Sequence, residues 1–564
     1  MLPVFDKVVV QLQKRSLFLS SLAVINLIFL PLINSKILRL STDDSTLIIS
    51  KVFAYRLNPE SLNQNPFHYS TELRTQSYLT EYLFGFVSSL LRLNLIEIER
   101  FIVFISINAL FLSFCFIISA YDKNYPIYAL ISFQILYFMD PVLFLRPISP
   151  GFHLAILFLT FGLIDRYFKK NSQHWLFKIL PLFFAFSFLA FAYIFHALLA
   201  FTVFSLVHVI NIYSLSKFKA RDFLSACVFS LPIVFFVTQQ VLFPSIELSD
   251  LNFRWGVVDS HFPGAKKTVL LGILGLLLLL AYPATYARKL FFSIFGASIV
   301  LSNSNIFTGK SMEFEAHFTP PVLATLTLIL PVTVRQLAIR AKDSKHIVVS
   351  IFAHALLKKI TFTLFILSMV VYLQSFTNLH SQLQNPNISK LSMLSSELPQ
   401  ITKGKRGVLS APTLGSEEIP ILIGLKLLFS SNGTTFFPMT NYEVLERRVL
   451  NDFLHGASKE YGIDDLKSIF PRHFVNFSQK TRYERNIRLF RFNDRQEKLN
   501  NYYSKLIAYA NAYSNSLRDN STFKQELKRY RVGFLLVESA QKVNPTFLSC
   551  KEFTFDQQKF KLCN

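Results

Sequence analysis

The chain has 564 residues, 51% hydrophobic and 15% aromatic, with only 16% charged. A soluble protein carries about a quarter charged residues, so water is excluded as the surroundings of most of this chain. The formal net charge is +23. The Lys and Arg gather in short stretches between apolar runs and form no basic stripe with interleaved aromatics, which points to the positive-inside rule and away from nucleic acid.

Apolar runs near ~20 residues recur, the length a helix needs to cross hydrocarbon. They predict a polytopic α-helical membrane protein of about eleven segments, followed by a small α/β domain. The first run, Ser16 to Asn34, follows Lys7, Lys14 and Arg15 and lacks a small-x-small cleavage site, so it reads as a retained helix with a cytoplasmic N-terminus. Residues 36–99 form a long outer loop. Within it "YLFGFVSSLLRLNLIEI" is short and interrupted by Arg92, and reads as a helix lying at the interface. The alternative, a true span over 82–96, would reverse every later segment.

The following spans are Phe101–Ala120, Pro126–Leu145 and Phe152–Ile164, then a tight pair turning at "AYIFHA". Next come Phe223–Val241, Thr268–Tyr282, Leu290–Leu301, Pro320–Val334 and Ile360–Phe376. With this layout nearly every basic cluster falls on one side. The membrane module is 1–376, a linker follows over 377–390, and an extracytoplasmic domain covers 391–564. In that domain "GVLSAP" and "RVGFLLVE" read as buried strands, and "NYEVLERRVLNDFLHG" reads as a helix closed by Gly456. "RQEKLNNYYSKLIAYANAYSNSL" reads as a second amphipathic helix.

Of four cysteines, Cys115 and Cys227 lie in apolar runs as packing residues. Cys550 and Cys563 flank a hairpin-like stretch, "KEFTFDQQKFKL". They form either a disulfide, if that end is extracytoplasmic, or two free thiols.

Polar candidates collect at the outer ends of the segments. Asp43 and Asp44 follow the first helix. A carboxylate there can take a proton from an acceptor group, or hold a divalent cation against a phosphate leaving group. The same stretch also reads as a helix cap, with Thr42 or Asp43 capping. Asp140, Arg146 and His153 surround a turn broken by Pro141, Pro147 and Pro150. Arg146 can clamp a phosphate oxygen, or snorkel to headgroups with Asp140 as its pair. Arg254 lies in the next long outer loop, and Lys310 and His317 in the loop after it. Glu313, Glu315 and His317 alternate in a weak metal-ligand pattern. No phosphate-binding loop, dinucleotide fingerprint or zinc signature is present in the sequence.

"STDD" after the first helix, the interface piece "LTEYLFGFVSSLLRL", "MDPVLFLRPISP" after the third helix and the soluble tail together resemble the GT-C class of membrane glycosyltransferases. That class includes protein O-mannosyltransferases, oligosaccharyltransferases and aminoarabinose transferases. The resemblance is best over the first four helices. The Trp-Trp-Asp-type acceptor motif of oligosaccharyltransferases is absent from the C-terminal region. The resemblance implies transfer of a sugar from a polyprenyl-phosphate carrier in the outer leaflet to an extracytoplasmic acceptor, in a cell or endoplasmic-reticulum membrane. Asp43 or Asp44 would orient and deprotonate the acceptor, and Arg146, Lys310 or Arg254 would hold the carrier phosphate. Asp140, His153 and His317 would complete substrate binding. A divalent cation, Mg or Mn, would bridge Asp43 and Asp140. The rival readings are a transporter or flippase of an anionic lipid-linked substrate and a non-catalytic assembly factor.

Overall fold

The computed structural model describes residues 17–26, 52, 79–93, 95–121, 125–140, 143, 151–169, 175–215, 220–242, 250, 253–254, 258–259, 265–281, 285–308, 310–311, 317–342, 408–411, 426–429, 439–457, 459–471, 473–475, 492–538, 550–555 and 558–563. Asp43, Asp44, Arg146, the segment Ile360–Phe376 and the linker 377–390 lie outside the described residues.

The protein is a polytopic α-helical membrane protein with a C-terminal α/β unit. The membrane body contains α1 (Leu17–Asn26), α2 (Leu79–Leu90), α3 (Leu95–Ile118), α4 (Tyr125–Met139), α5 (Gly151–Phe168), α6 (Trp175–Ala192), α7 (Ile194–Leu215) and α8 (Ala220–Leu242). It continues through α9 (Lys266–Ala281), α10 (Thr285–Ser302), the single turn α11 (Asn305–Thr308) and α12 (Thr319–Lys342). Arg100–Ile118, Gly151–Phe168 and Ile194–Tyr213 are each long and apolar enough to cross a membrane.

Several boundaries differ from the sequence expectation: α3 starts at Leu95, not Phe101, which takes the end of "YLFGFVSSLLRLNLIEI" out of the interface piece, and α12 runs on to Lys342, not Val334. α4 stops at Met139, not Leu145, because Asp140 precedes a proline and is disfavoured in the helical region. α10 starts at Thr285, not Leu290, so Arg288 and Lys289 belong to its first turns.

α2 has 12 residues, too few to cross ~30 Å of hydrocarbon at 1.5 Å per residue. Thr80, Glu81, Phe84, Gly85 and Ser88 are buried, while Tyr82, Phe86 and Leu90 are turned outward. An apolar outward face fits a helix lying at the lipid interface. Its end is a Schellman motif: Leu93 N donates to Ser88 O at 3.0 Å and Arg92 N to Ser89 O at 3.2 Å. Arg92 occupies the left-handed position usually given to glycine, with φ +55°. The helix terminates there, so α2 does not continue into α3 as one span.

Phenylalanine makes the core of the bundle. Phe111 and Phe114 of α3 and Phe158 and Phe161 of α5 are all 0% exposed. Between membrane helices the attraction is close packing, not water exclusion, so shape decides. Gly275 of α9 shows this: a Cβ there would lie 2.3 Å from the Phe295 ring of α10.

The C-terminal unit has its own core. Its sheet contains β3 (Val408–Ser410), β4 (Lys426–Leu427), β5 (Val532–Glu538), β6 (Cys550–Phe555) and β7 (Gln558–Cys563), in the order β4-β3-β5-β7-β6. The first three strands are parallel and the β6–β7 hairpin adds antiparallel to β5. Helices α13 (Asn441–Leu454), α14 (Ile463–Ile469), α15 (Phe492–Ser516) and α16 (Asn520–Arg529) make the crossover to β5. α13 is capped by Thr440, whose hydroxyl accepts from Glu443 N at 3.1 Å. It ends on Gly456, at φ +78°. Cys550 and Cys563 face each other across the hairpin and form a disulfide. Cys115 is buried as expected, whereas Cys227 is exposed on α8.

The two bodies meet through the stretch after α8. The Arg254 guanidinium donates to Met439 O at 2.7 Å and to Asn441 Oδ1 at 2.8 Å. Asp250 accepts from Asn441 N at 2.9 Å. The Phe253 ring stacks on His473 at 3.7 Å and meets Phe470 at 5.5 Å and Tyr502 at 5.4 Å. A few residues on, β1 (Val258–Asp259) pairs antiparallel with β2 (Lys310–Ser311).

Candidate functional site

Following the antiparallel helices places the start of α5, the α6–α7 junction and the residues before α12 at one end of the bundle. Three histidines meet there around one tyrosine. Tyr193 is the single non-helical residue between α6 and α7, held by Tyr193 N to Leu189 O at 2.7 Å and by His196 N to Tyr193 O at 3.0 Å. This short joint fixes the direction of its ring. The ring stacks on His153 with centroids 5.0 Å apart and an interplanar angle of 16°, and meets the edge of His196 at 4.6 Å. The Tyr193 hydroxyl hydrogen-bonds to Nδ1 of His317, and Phe195 stacks on the His317 ring at 5.1 Å.

His153 sits on the first turn of α5 and is 4% exposed. Its Nε2 pairs with Thr80 Oγ1 at 2.8 Å, which ties α2 to the cluster. Among the described residues Nδ1 of His153 has no hydrogen-bond partner, and His196, 0% exposed, has none for its ring nitrogens beyond its approach to the His153 backbone. Unmet polar atoms buried at membrane depth are costly and mark function more often than packing. The cluster can both donate and accept through its imidazole nitrogens, and the phenol and threonine hydroxyl add a second layer of polar contacts.

The sequence candidates distribute unevenly around this centre. His153 and His317 converge on it. Asp140 follows α4 at the same end and is half-buried; its Oδ1 accepts from Leu143 N at 3.3 Å, a local capping bond. Arg254 is 3% exposed and bonded to the C-terminal unit. Lys310 lies in β2, in register with Asp259. Among the described residues no group of three or more His, Cys, Asp or Glu is arranged to hold a metal. Thr80, Tyr193 and His196 are the additions. His196 and Tyr193 both stand in "AYIFHA", and the sequence carries no signal for Tyr193 beyond that place.

No family model matches this sequence, and no curated protein matches it. Among solved structures, the chain is similar to the crystal structure of ArnT from Cupriavidus metallidurans in the apo state. The match covers 70% of this chain and 82% of that one, at 11% identity and a TM-score of 0.48. A likeness of that extent assigns no residue role and no activity.

Proposed function

We propose that the chain is an integral-membrane glycosyltransferase of the GT-C type, moving a sugar from a polyprenyl-phosphate carrier to an extracytoplasmic acceptor. The observation that carries this reading is the buried cluster of His153, Tyr193, His196 and His317, tied through Thr80 to an interfacial helix. A lipid-borne substrate arriving in that leaflet meets the apolar face of α2 before it meets the imidazoles. The histidine cluster lies at an end of the bundle, which suits a reaction at the membrane surface, whereas a transporter places its substrate site near mid-depth.

In this mechanism an acceptor oxygen or nitrogen attacks the anomeric carbon. The bond from that carbon to the phosphate oxygen breaks, and the carrier phosphate leaves with the electron pair. Asp43 or Asp44 takes the acceptor proton, and configuration inverts. Because Arg254 is occupied by the C-terminal unit, Arg146 and Lys310 are the cations left for the phosphate. His153 and His317 orient the sugar, with His317 fixed by the Tyr193 hydroxyl. Asp43 and Asp140 would hold a divalent cation, which would supply charge to the departing phosphate; this is a separable part of the proposal, tested by chelation.

Two features support an extracytoplasmic placement of the cluster and the C-terminal unit. Arg166, Lys169, Arg288 and Lys289 all lie at the opposite end of the bundle, as the positive-inside rule requires of the cytoplasmic side. The Cys550–Cys563 disulfide suits an oxidising compartment. The deciding experiment is Asp43→Asn with Asp44→Asn in the native membrane. Loss of glycan product at unchanged protein level supports the enzyme; unaffected transfer favours a lipid transporter or an assembly role.

A further inference from the structure

At the end of the bundle remote from the histidine cluster, α7 carries His208 and Asn211 one turn apart on the same face. His208 is 9% exposed and Asn211 8%. Nε2 of His208 and Nδ2 of Asn211 have no hydrogen-bond partner among the described residues. Asn211 Oδ1 accepts from Lys289 Nζ of α10 at 2.9 Å, which fixes the amide so that its NH2 points away from the ammonium. Phe168, at the end of α5, stacks over the His208 ring at 6.2 Å.

The chemistry of these groups is one-sided. An amide NH2 and an ammonium only donate, and an imidazole Nε2 can donate. Donors gathered around a cation in a low-dielectric setting select an anion with several acceptor oxygens. The depth fits a headgroup. Tyr213, two residues beyond Asn211, is 90% exposed, as expected of a tyrosine in the interfacial belt, and Val209 is 59% exposed on the lipid-facing side. At 1.5 Å per residue, Asn211 lies about 3 Å along the helix axis from that level.

We propose that His208, Asn211 and Lys289 form a phosphate-binding site at the headgroup level of the leaflet remote from the histidine cluster. The phosphate comes from a glycerophospholipid headgroup or from solution. The site is independent of the glycosyltransferase reading.

The test uses the full-length protein in detergent, with phosphatidylglycerol and inorganic phosphate as separate probes. Native mass spectrometry reads retained lipid, and tryptophan fluorescence reads the melting temperature. The variants are Asn211→Leu, Lys289→Gln and His208→Phe, the last keeping an aromatic ring against Phe168. Wild type is expected to bind one phosphatidylglycerol about tenfold more tightly than each variant. If inorganic phosphate alone raises the wild-type melting temperature and displaces the lipid, the site is a phosphate site that also accepts the free ion. Lipid retention equal in wild type and all three variants, with no melting shift from inorganic phosphate, overturns the proposal.

Discussion

The Tyr193 hydroxyl and Nδ1 of His317 are hydrogen-bonded although 124 residues separate them in the chain. The bond joins the α6–α7 junction to the stretch that leads into α12, and it closes the histidine cluster on its far side.

Removing only that hydroxyl should separate positioning from packing. Tyr193→Phe keeps the ring that stacks on His153 and loses about 1 kcal/mol of hydrogen bonding. The expected outcome is normal membrane insertion and a small melting shift, with glycan transfer reduced far more than stability. Transfer at wild-type rate would remove Tyr193 from the site.

Arg254 predicts a different behaviour. Arg254→Ala abandons two charge-assisted hydrogen bonds to Met439 and Asn441, and the docking of the C-terminal unit should weaken by roughly 3 kcal/mol. The 250–259 stretch should become more open to protease in the variant while the C-terminal unit stays folded. Unchanged protease resistance of that stretch would refute the anchoring role.

Acid should loosen the C-terminal unit. Burial pushes His455 and His473 down to about 4 from the ordinary histidine range. Between that value and 6.5 the unfolded chain binds more protons than the folded one, so stability rises with pH across that window. It is complete above about 6.5 and lost as pH falls toward 4, each histidine contributing up to about 1.4 kcal/mol per pH unit. A melting temperature flat from pH 7 to 4.5 would contradict this. His473→Phe, which can still stack on Phe253, should reduce the slope.

Two left-handed helix ends give opposite expectations. Gly456→Ala forces a Cβ into φ +78° and should destabilise by about 1 kcal/mol, because the surrounding space is open and only the backbone objects. Arg92→Gly relieves the same strain at φ +55° and should stabilise by a similar amount. Equal melting temperatures for Arg92→Gly and wild type would mean that the arginine compensates through headgroup contacts.

Much of the helix layout was legible because hydrophobic periodicity and proline breaks are local signals. The short α2, the Gly456 terminus and the β6–β7 hairpin could all be read from neighbouring residues, but the interface reading ran on to Ile98, past the break at Arg92 and into α3. The site was legible only in part. His153 and His317 could be named from their places in outer loops, but nothing in either loop indicated that one tyrosine would bring them together. Arg254 shows the converse limit. An exposed-loop arginine reads as a ligand until its long-range partners, Met439 and Asn441, are known. The register of β1 against β2 is likewise invisible to any window along the chain, since it joins residues some fifty positions apart.

That two-residue ribbon has a mechanical consequence. Arg254 is clamped by the C-terminal unit, Val258 pairs with Ser311, and His317 lies six residues past that pair. The hold on Arg254, the β1–β2 ribbon and the His317 imidazole therefore follow one another within short lengths of chain. In the glycosyltransferase proposed above, an acceptor held by the C-terminal unit would load the same ribbon that leads to His317.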